Sequence, residues 1–154
     1  MRPRKLVSRI LLGVAALLLV VQLYPYGRSH ANPPVTRSPH WDSARTAQLV
    51  AGACQDCHSN LTNWRWYSNV APASWLIQND VDGGRRKLNF SRWDQPQPSV
   101  AQVVRQIRDG SMPPLQYKPL HPDSRLSKAE RDALARGIEA TYRADPPPLR
   151  RGGD

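Results

Sequence analysis

The stretch Cys54-Gln55-Asp56-Cys57-His58 contains both cysteines of this 154-residue chain, followed directly by a histidine. Residues three positions apart lie on the same face of a helix, so the spacing predicts two neighbouring thiols with an imidazole beside the second. Two cysteines are too few for a scaffold held by several disulfides. The stretch is therefore expected to carry chemistry.

The spacing Cys-x-x-Cys-His is typical of covalent c-type haem attachment. The two thiols form thioether bonds to the vinyl groups, and the adjacent imidazole becomes an axial ligand of the iron. We predict that Cys54 and Cys57 attach one haem c and that His58 ligates its iron. No catalytic residue is assigned.

Three other interpretations of the cysteine pair remain open. A thioredoxin-like dithiol requires a βαβ framework, of which the sequence has no trace. A zinc site would need both thiolates, His58 and a further histidine, but the remaining histidines are isolated in the sequence. A structural disulfide is the third alternative.

Four helices are predicted after residue 40, and no alternation is long enough to indicate a strand. They cover residues 43–58, a segment that begins near Pro72, residues 98–109 and residues 128–142. The second is expected to bury Leu76 and Val81 and to weaken at Gly83-Gly84. Ser127 and Glu130 form a capping box for the last helix. The class is all-α, with 15 prolines in long loops and a thin core that a haem would complete.

The amino terminus has the pattern of a targeting segment. Four basic residues precede an apolar run over residues 10–23, which predicts a membrane anchor over residues 1–23 with the rest of the chain exported. Cleavage of a signal peptide after Ala31 is the alternative. A proline-rich tether over residues 24–40, a haem-binding domain over 41–143 and a disordered tail over 144–154 are expected to follow.

The net charge of +10 is divided unevenly. Four of the 22 basic residues precede the apolar run, which leaves 18 against 12 acidic residues, a balance of +6. This moderate, scattered excess argues against nucleic-acid binding and favours redox partners with acidic surfaces.

Met112 is the candidate for the second iron ligand. Met1 lies on the other side of the membrane in the predicted topology, whereas Met112 follows the third predicted helix in a loop fixed by Gly110 and two prolines. His121 is the alternative ligand.

The chain resembles a bacterial haem-binding-domain family of membrane-anchored monohaem c-type cytochromes. The resemblance rests on NPPV at 32–35, CQDCHSN at 54–60, NWRWYSNVAPASWL at 63–76, KLNFSRW at 87–93 and DGSMPP at 109–114 followed by LHPDSRLS. It implies a class I cytochrome c-like fold with the first and last domain helices crossing, and Gly137 would allow their close approach.

The resemblance also implies roles for individual residues. Cys54 and Cys57 correspond to the thioether sites, His58 to the proximal ligand and Met112 to the distal one. The Ala71 carbonyl beside Pro72 would orient the proximal histidine, and an aromatic group would line the haem: Trp64, Trp66, Tyr67 and Trp75.

The expected function is electron transfer between a donor and an acceptor protein outside the cytoplasm, with no enzymatic activity. A haem peroxidase or a gas or redox sensor, in which Met112 leaves the iron, is the alternative.

Overall fold

The computed structural model describes residues 3–150, and within that range it contains helices but no strand. The α-helices are α1 Pro3–Val21, α2 Ala44–Ala53, α3 Gln55–His58, α4 Ala73–Lys87, α5 Val100–Arg108 and α6 Lys128–Ala144. Two short 3-10 helices cover Trp66–Asn69 and Pro122–Ser124. The prediction of an all-α fold is confirmed, and each of the four predicted helical segments after residue 40 is present.

The described chain divides into two units. The first comprises residues 3–31 and 64–80, and the second comprises residues 32–63 and 81–150. In the first unit the Gln22 side chain pairs with the backbone of Ala71, donating to its carbonyl at 2.8 Å and accepting from its N–H at 3.0 Å. Leu76, predicted to be buried, is 50% exposed, so that prediction is wrong.

The predicted membrane anchor over residues 1–23 coincides with α1 in the described part of the chain. α1 has 19 residues, and Arg4, Lys5 and Arg9 occupy its first half. Within the part of the chain that the structure describes, no helix combines the length and the apolar character needed to cross a membrane.

The core of the second unit forms where α2, α5 and α6 meet the segment after α4. Predicted core residues such as Val50, Ile107 and Leu134 are buried there. The segment at residues 88–93 adds the buried residues Leu88, Phe90 and Trp93, which the helical periodicity did not indicate. Trp93 is 0% exposed and donates its indole N–H to the Asp145 carbonyl at 2.8 Å.

α2 and α6 pack unusually closely. A Cβ built on Gly137 of α6 would lie less than 3.0 Å from the side chain of Thr46 in α2. The expectation that Gly137 allows a close approach between these two helices is confirmed.

Part of the predicted disordered tail makes hydrogen bonds with the rest of the domain. Residues up to 150 pair with the chain: the Gln97 N–H donates to the Pro148 carbonyl at 2.8 Å, and the Arg150 N–H donates to the Gln97 carbonyl at 2.9 Å. The remainder of the predicted tail, residues 151–154, lies outside the described residues.

Candidate functional site

The Cys-x-x-Cys-His stretch forms a single helical turn at the end of α2. Cys54 has φ −127° and ψ −33°, which ends α2, and the chain resumes as α3 at the next residue. The N–H groups of Cys57 and His58 donate to the Cys54 carbonyl at 3.2 and 2.9 Å. The turn therefore holds both thiols and the imidazole within five residues, as the spacing predicted.

Both cysteines are half-buried, and no disulfide joins them. Burial, with a smaller contribution from neighbouring Cys57, raises the pKa of the Cys54 thiol to about 12. A redox dithiol depends on a lowered thiol pKa, because the thiolate is the reactive species. The raised pKa of Cys54 disfavours the dithiol interpretation, and the absence of a bond between the two sulfur atoms disfavours the disulfide interpretation. Within residues 3–150, no group of three or more His, Cys, Asp or Glu side chains is placed to hold a metal ion, as a zinc site would require.

His58 is oriented by two backbone carbonyls. Its Nδ1 lies 3.1 Å from the carbonyl oxygens of both Gly84 and Leu88, at the end of α4 and just after it. Because a carbonyl only accepts, Nδ1 carries the proton, and Nε2 is then the ring atom with a lone pair for a metal. Burial lowers the pKa of His58 despite these two hydrogen bonds, so the neutral imidazole is favoured.

The prediction that the Ala71 carbonyl orients His58 is wrong. That carbonyl accepts from Gln22, while the orienting groups belong to Gly84 and Leu88. Sequence reasoning missed these two positions because any residue supplies a backbone carbonyl. The signal that was present is Gly84 itself, which lets the backbone of α4 approach the turn.

Asp56, inside the turn, makes contacts through all three of its oxygens. The carboxylate accepts from the Asn63 N–H at 3.0 Å and from the Tyr117 hydroxyl at 2.7 Å. Its backbone carbonyl accepts from the Thr62 hydroxyl at 2.6 Å. The turn is thereby joined both to the chain that follows it and to a distant loop.

His121, the alternative iron ligand, lies in that distant loop and is only 9% exposed. Its Nδ1 is 2.9 Å from the Tyr117 carbonyl, and its Nε2 is 3.8 Å from the Asp56 carboxylate. The ring also stacks on Tyr117, with centroids 3.5 Å apart and planes 8° from parallel. His121 is therefore packed against other residues of its own loop and against Asp56.

Met112 follows α5, and its N–H donates to the Gln106 carbonyl at 3.0 Å. It lines a cavity of about 180 Å³. The other residues around this cavity are Pro113, Lys118, Ser124, Arg125, Leu126 and Arg131. The three residues of the helical turn are not among them, so Met112 as the second ligand stays a prediction.

A family model for a haem-binding domain matches residues 16–140. The chain belongs to this haem-binding-domain family. No curated protein and no solved structure matches it.

The donor set of this haem-binding domain fits a covalently held haem. Its two thiols are unoxidised and three residues apart, and the adjacent imidazole is neutral with Nδ1 donating to carbonyls. These are the groups that two thioether bonds and one axial iron bond require.

Arg85 is a structural residue of the site that the sequence did not reveal. Its guanidinium donates to the Ser59 carbonyl at 2.8 Å, to Asn32 Oδ1 at 2.8 Å and to the Thr62 hydroxyl at 2.9 Å. These contacts join α4 to the segment directly after His58. Arg85 therefore joins two of the stretches that carry the family resemblance, at 32–35 and 54–60.

The four aromatic residues expected beside the haem all belong to the first unit. Trp66 is 77% exposed. Trp64 stacks on His30 with centroids 4.7 Å apart, and Trp75 packs edge-on against Tyr24 at 5.7 Å. Contact between this group and a haem stays a prediction.

Proposed function

We propose that this haem-binding domain is a monohaem c-type cytochrome that carries single electrons between redox proteins. The observation that carries the proposal is the turn at residues 54–58. It presents two free thiols and one neutral imidazole whose Nδ1 donates to the carbonyls of Gly84 and Leu88. A class I cytochrome c-like arrangement of the helices is part of the proposal.

Cys54 and Cys57 would hold the haem through thioether bonds, and His58 would bind its iron through Nε2. When bound, the haem supplies an iron that changes between the ferric and ferrous states by one electron. Hydrogen bonding of Nδ1 fixes the tautomer and the ring orientation of His58, and it raises the basicity of the ligating nitrogen.

Met112 is the proposed second ligand. A methionine thioether raises the reduction potential relative to a second histidine, so the proposal includes a positive potential. Two protein ligands also keep small molecules away from the metal, as an electron carrier requires.

The proposed partners have acidic surfaces, and the cavity beside Met112 is the proposed docking surface. Three cationic side chains, Lys118, Arg125 and Arg131, line it, and within residues 3–150 none of them forms an ion pair with a carboxylate. Leu115, in the same loop, is 80% exposed. Uncompensated positive charge beside an apolar side chain suits a transient complex with an acidic protein.

The proposed location is outside the cytoplasm. Basic residues followed by an apolar run at the amino terminus are typical of an export signal. Fractionation of the producing cell tests the location, and the haem-containing protein is expected outside the cytoplasmic fraction.

Covalent attachment is tested by producing the full chain together with c-type maturation proteins. We expect a haem stain that survives denaturing electrophoresis and a haemochrome spectrum typical of two thioether bonds. Cys54→Ala and Cys57→Ala should each shift that spectrum to one thioether bond, while the control His40→Ala should not. A full-length protein without a haem stain would overturn the proposal.

Docking is tested by oxidation of the ferrous protein with an anionic cobalt complex at low ionic strength. Neutralising Lys118, Arg125 and Arg131 to glutamine should slow the reaction severalfold, because these charges attract the anion. The control neutralises three exposed arginines elsewhere, Arg86, Arg136 and Arg143. Equal rates for the two triple variants would exclude the cavity as the docking surface.

Enzymatic or gas-sensing function is separated from electron transfer by ligand binding. An iron with two protein ligands should bind carbon monoxide slowly in the ferrous protein and react slowly with peroxide in the ferric protein. Rapid reactions of untreated protein would favour the sensor or peroxidase alternative instead.

A further inference from the structure

Asp56 connects the turn at residues 54–58 with the loop that follows Met112. Its Oδ2 accepts the Tyr117 hydroxyl at 2.7 Å, a short hydrogen bond to a carboxylate. Asp56 is adjacent to Cys57 in the chain, and Tyr117 is five residues after Met112. This hydrogen bond thus joins the segments that carry the two proposed iron ligands.

The loop beyond this hydrogen bond is held together by its own contacts. Tyr117 stacks on the buried ring of His121, whose carbonyl accepts from the Ser124 hydroxyl at 2.6 Å. Arg125 donates to the carbonyls of Lys118 and Pro119 at 3.0 and 3.1 Å. Contacts within residues 117–125 therefore hold this segment together, and the hydrogen bond from Tyr117 to Asp56 attaches the segment to the turn.

The short segment between Met112 and Tyr117 couples the position of Tyr117 to the position of Met112. Pro113 and Pro114 restrict the backbone immediately after Met112, and Pro113 is buried. The Met112 N–H is tied to the Gln106 carbonyl at 3.0 Å on the other side. Movement of the loop at Tyr117 is thus carried to Met112 through only four intervening residues.

We propose that Asp56, acting through Tyr117, is a positioning residue that keeps the Met112 loop on the turn and so determines how readily Met112 is displaced from the iron. The inference rests on the proposed ligation by Met112. A hydrogen bond to a carboxylate is stronger than one between neutral groups, so its loss should favour the displaced state about tenfold or more.

The test is Tyr117→Phe in the haem-loaded, full-length ferric protein. Phenylalanine keeps the ring that stacks on His121 and removes only the hydroxyl. Imidazole titration, followed by loss of the methionine-sulfur absorption band, measures how readily Met112 is displaced. We expect the apparent affinity for imidazole to rise about tenfold.

The matched control is Tyr142→Phe, which removes a hydroxyl that donates to the Pro98 carbonyl at 3.3 Å. This variant also loses one tyrosine hydrogen bond, but it lies in α6 and leaves the Met112 loop unaltered. Its imidazole affinity should equal that of the wild type. If Tyr117→Phe and Tyr142→Phe bind imidazole equally tightly, the inference is overturned.

A second variant, Asp56→Asn, keeps the size of the side chain and an oxygen acceptor but removes the charge. It should raise imidazole affinity by less than Tyr117→Phe does, and an unchanged affinity would also count against the inference. If Tyr117→Phe does not fold, the imidazole affinity of Asp56→Asn alone tests the inference.

Failure of the proposed ligation is distinguishable from failure of this inference. If the wild type lacks the methionine-sulfur band, or Met112→Ala leaves imidazole affinity unchanged, Met112 is not the ligand. If the band is present and Met112→Ala binds imidazole more tightly, an unchanged Tyr117→Phe rejects only the role of Asp56.

Discussion

Gly84 of α4 packs directly against the backbone carbonyl of Cys57. A Cβ built on Gly84 would lie less than 3.0 Å from the oxygen and the carbon of that carbonyl. The same stretch of α4 places the Gly84 carbonyl 3.1 Å from Nδ1 of His58. The absence of a side chain at one position therefore allows both the close packing and the hydrogen bond that orients the candidate iron ligand.

We expect Gly84→Ala to destabilise the domain by about 3 kcal/mol or more, because backbone atoms on both sides cannot move out of the way. The variant should also incorporate less haem, since α4 must shift away from His58. Urea unfolding and the ratio of haem to protein measure the two effects.

Gly83→Ala is the control, because its Cβ would meet only the end of the Arg86 side chain at 3.9 Å. In that variant the better helix propensity of alanine should stabilise α4 by about 0.5–1 kcal/mol. Equal stability of the two alanine variants would contradict the role assigned to Gly84.

This pair of glycines illustrates what the sequence did and did not predict. Helix propensity correctly marks Gly83-Gly84 as weak, and on that ground α4 was expected to weaken there. In the structure α4 continues to Lys87, because tertiary packing against Cys57 favours glycine at position 84. Propensity describes an isolated helix and contains no information on what the helix packs against.

The second prediction concerns Arg85, which joins α4 to the chain after His58. Arg85→Lys keeps the charge but cannot reach the Ser59 carbonyl, Asn32 and Thr62 together, since a single ammonium lacks the planar fork of a guanidinium. We expect a loss of about 2 kcal/mol in the free energy of unfolding. Chemical denaturation measures this loss.

Arg86→Lys is the neighbouring control. Arg86 is exposed, so the same exchange there should change stability by less than about 0.5 kcal/mol. If lysine is tolerated equally at both positions, the network around Arg85 contributes little.

The candidate site was predictable where function depends on residue type and unpredictable where it depends on the backbone. Cys54, Cys57 and His58 are recognisable because only thiols and an imidazole supply that chemistry. The carbonyls that orient His58 carry no residue-type signal, and the expected carbonyl of Ala71 proved to be the wrong one. Leu88 and Trp93 were missed as core residues because they lie outside a helix, where the period of 3.6 does not apply.

The third prediction concerns the contact between Gly137 and Thr46. Gly137→Ala should cost about 1–3 kcal/mol, because the new methyl group overlaps the buried Thr46 side chain. Thr46→Ala removes the overlapping hydroxyl and methyl groups. In a double-mutant cycle we therefore expect the two changes together to cost less than their sum, with a coupling of about 1 kcal/mol or more.

The control cycle combines Thr46→Ala with Gly52→Ala, whose Cβ would face Asp123 and not Thr46. That pair should be additive within about 0.5 kcal/mol. Additivity in both cycles would show that α2 and α6 separate freely at Gly137.

The last prediction concerns the capping box at the start of α6 and its dependence on pH. The Ser127 N–H and hydroxyl both donate to the Glu130 carboxylate at 3.0 and 2.9 Å, and they lower the pKa of Glu130, with Arg45 as a smaller cause. The folded state therefore holds this carboxylate ionised to lower pH than the unfolded chain does, for which the ordinary value is 4.5. Below that value the unfolded chain binds more protons than the folded one, so the free energy of unfolding falls as the pH falls through the folded pKa.

Glu130→Gln lacks this titration, so the wild type should exceed it in stability most near pH ~7 and least near pH ~3. Urea unfolding across that range measures the difference, with Glu139→Gln in the middle of the same helix as the control that leaves the cap intact. A stability difference between wild type and Glu130→Gln that is constant with pH would contradict the prediction.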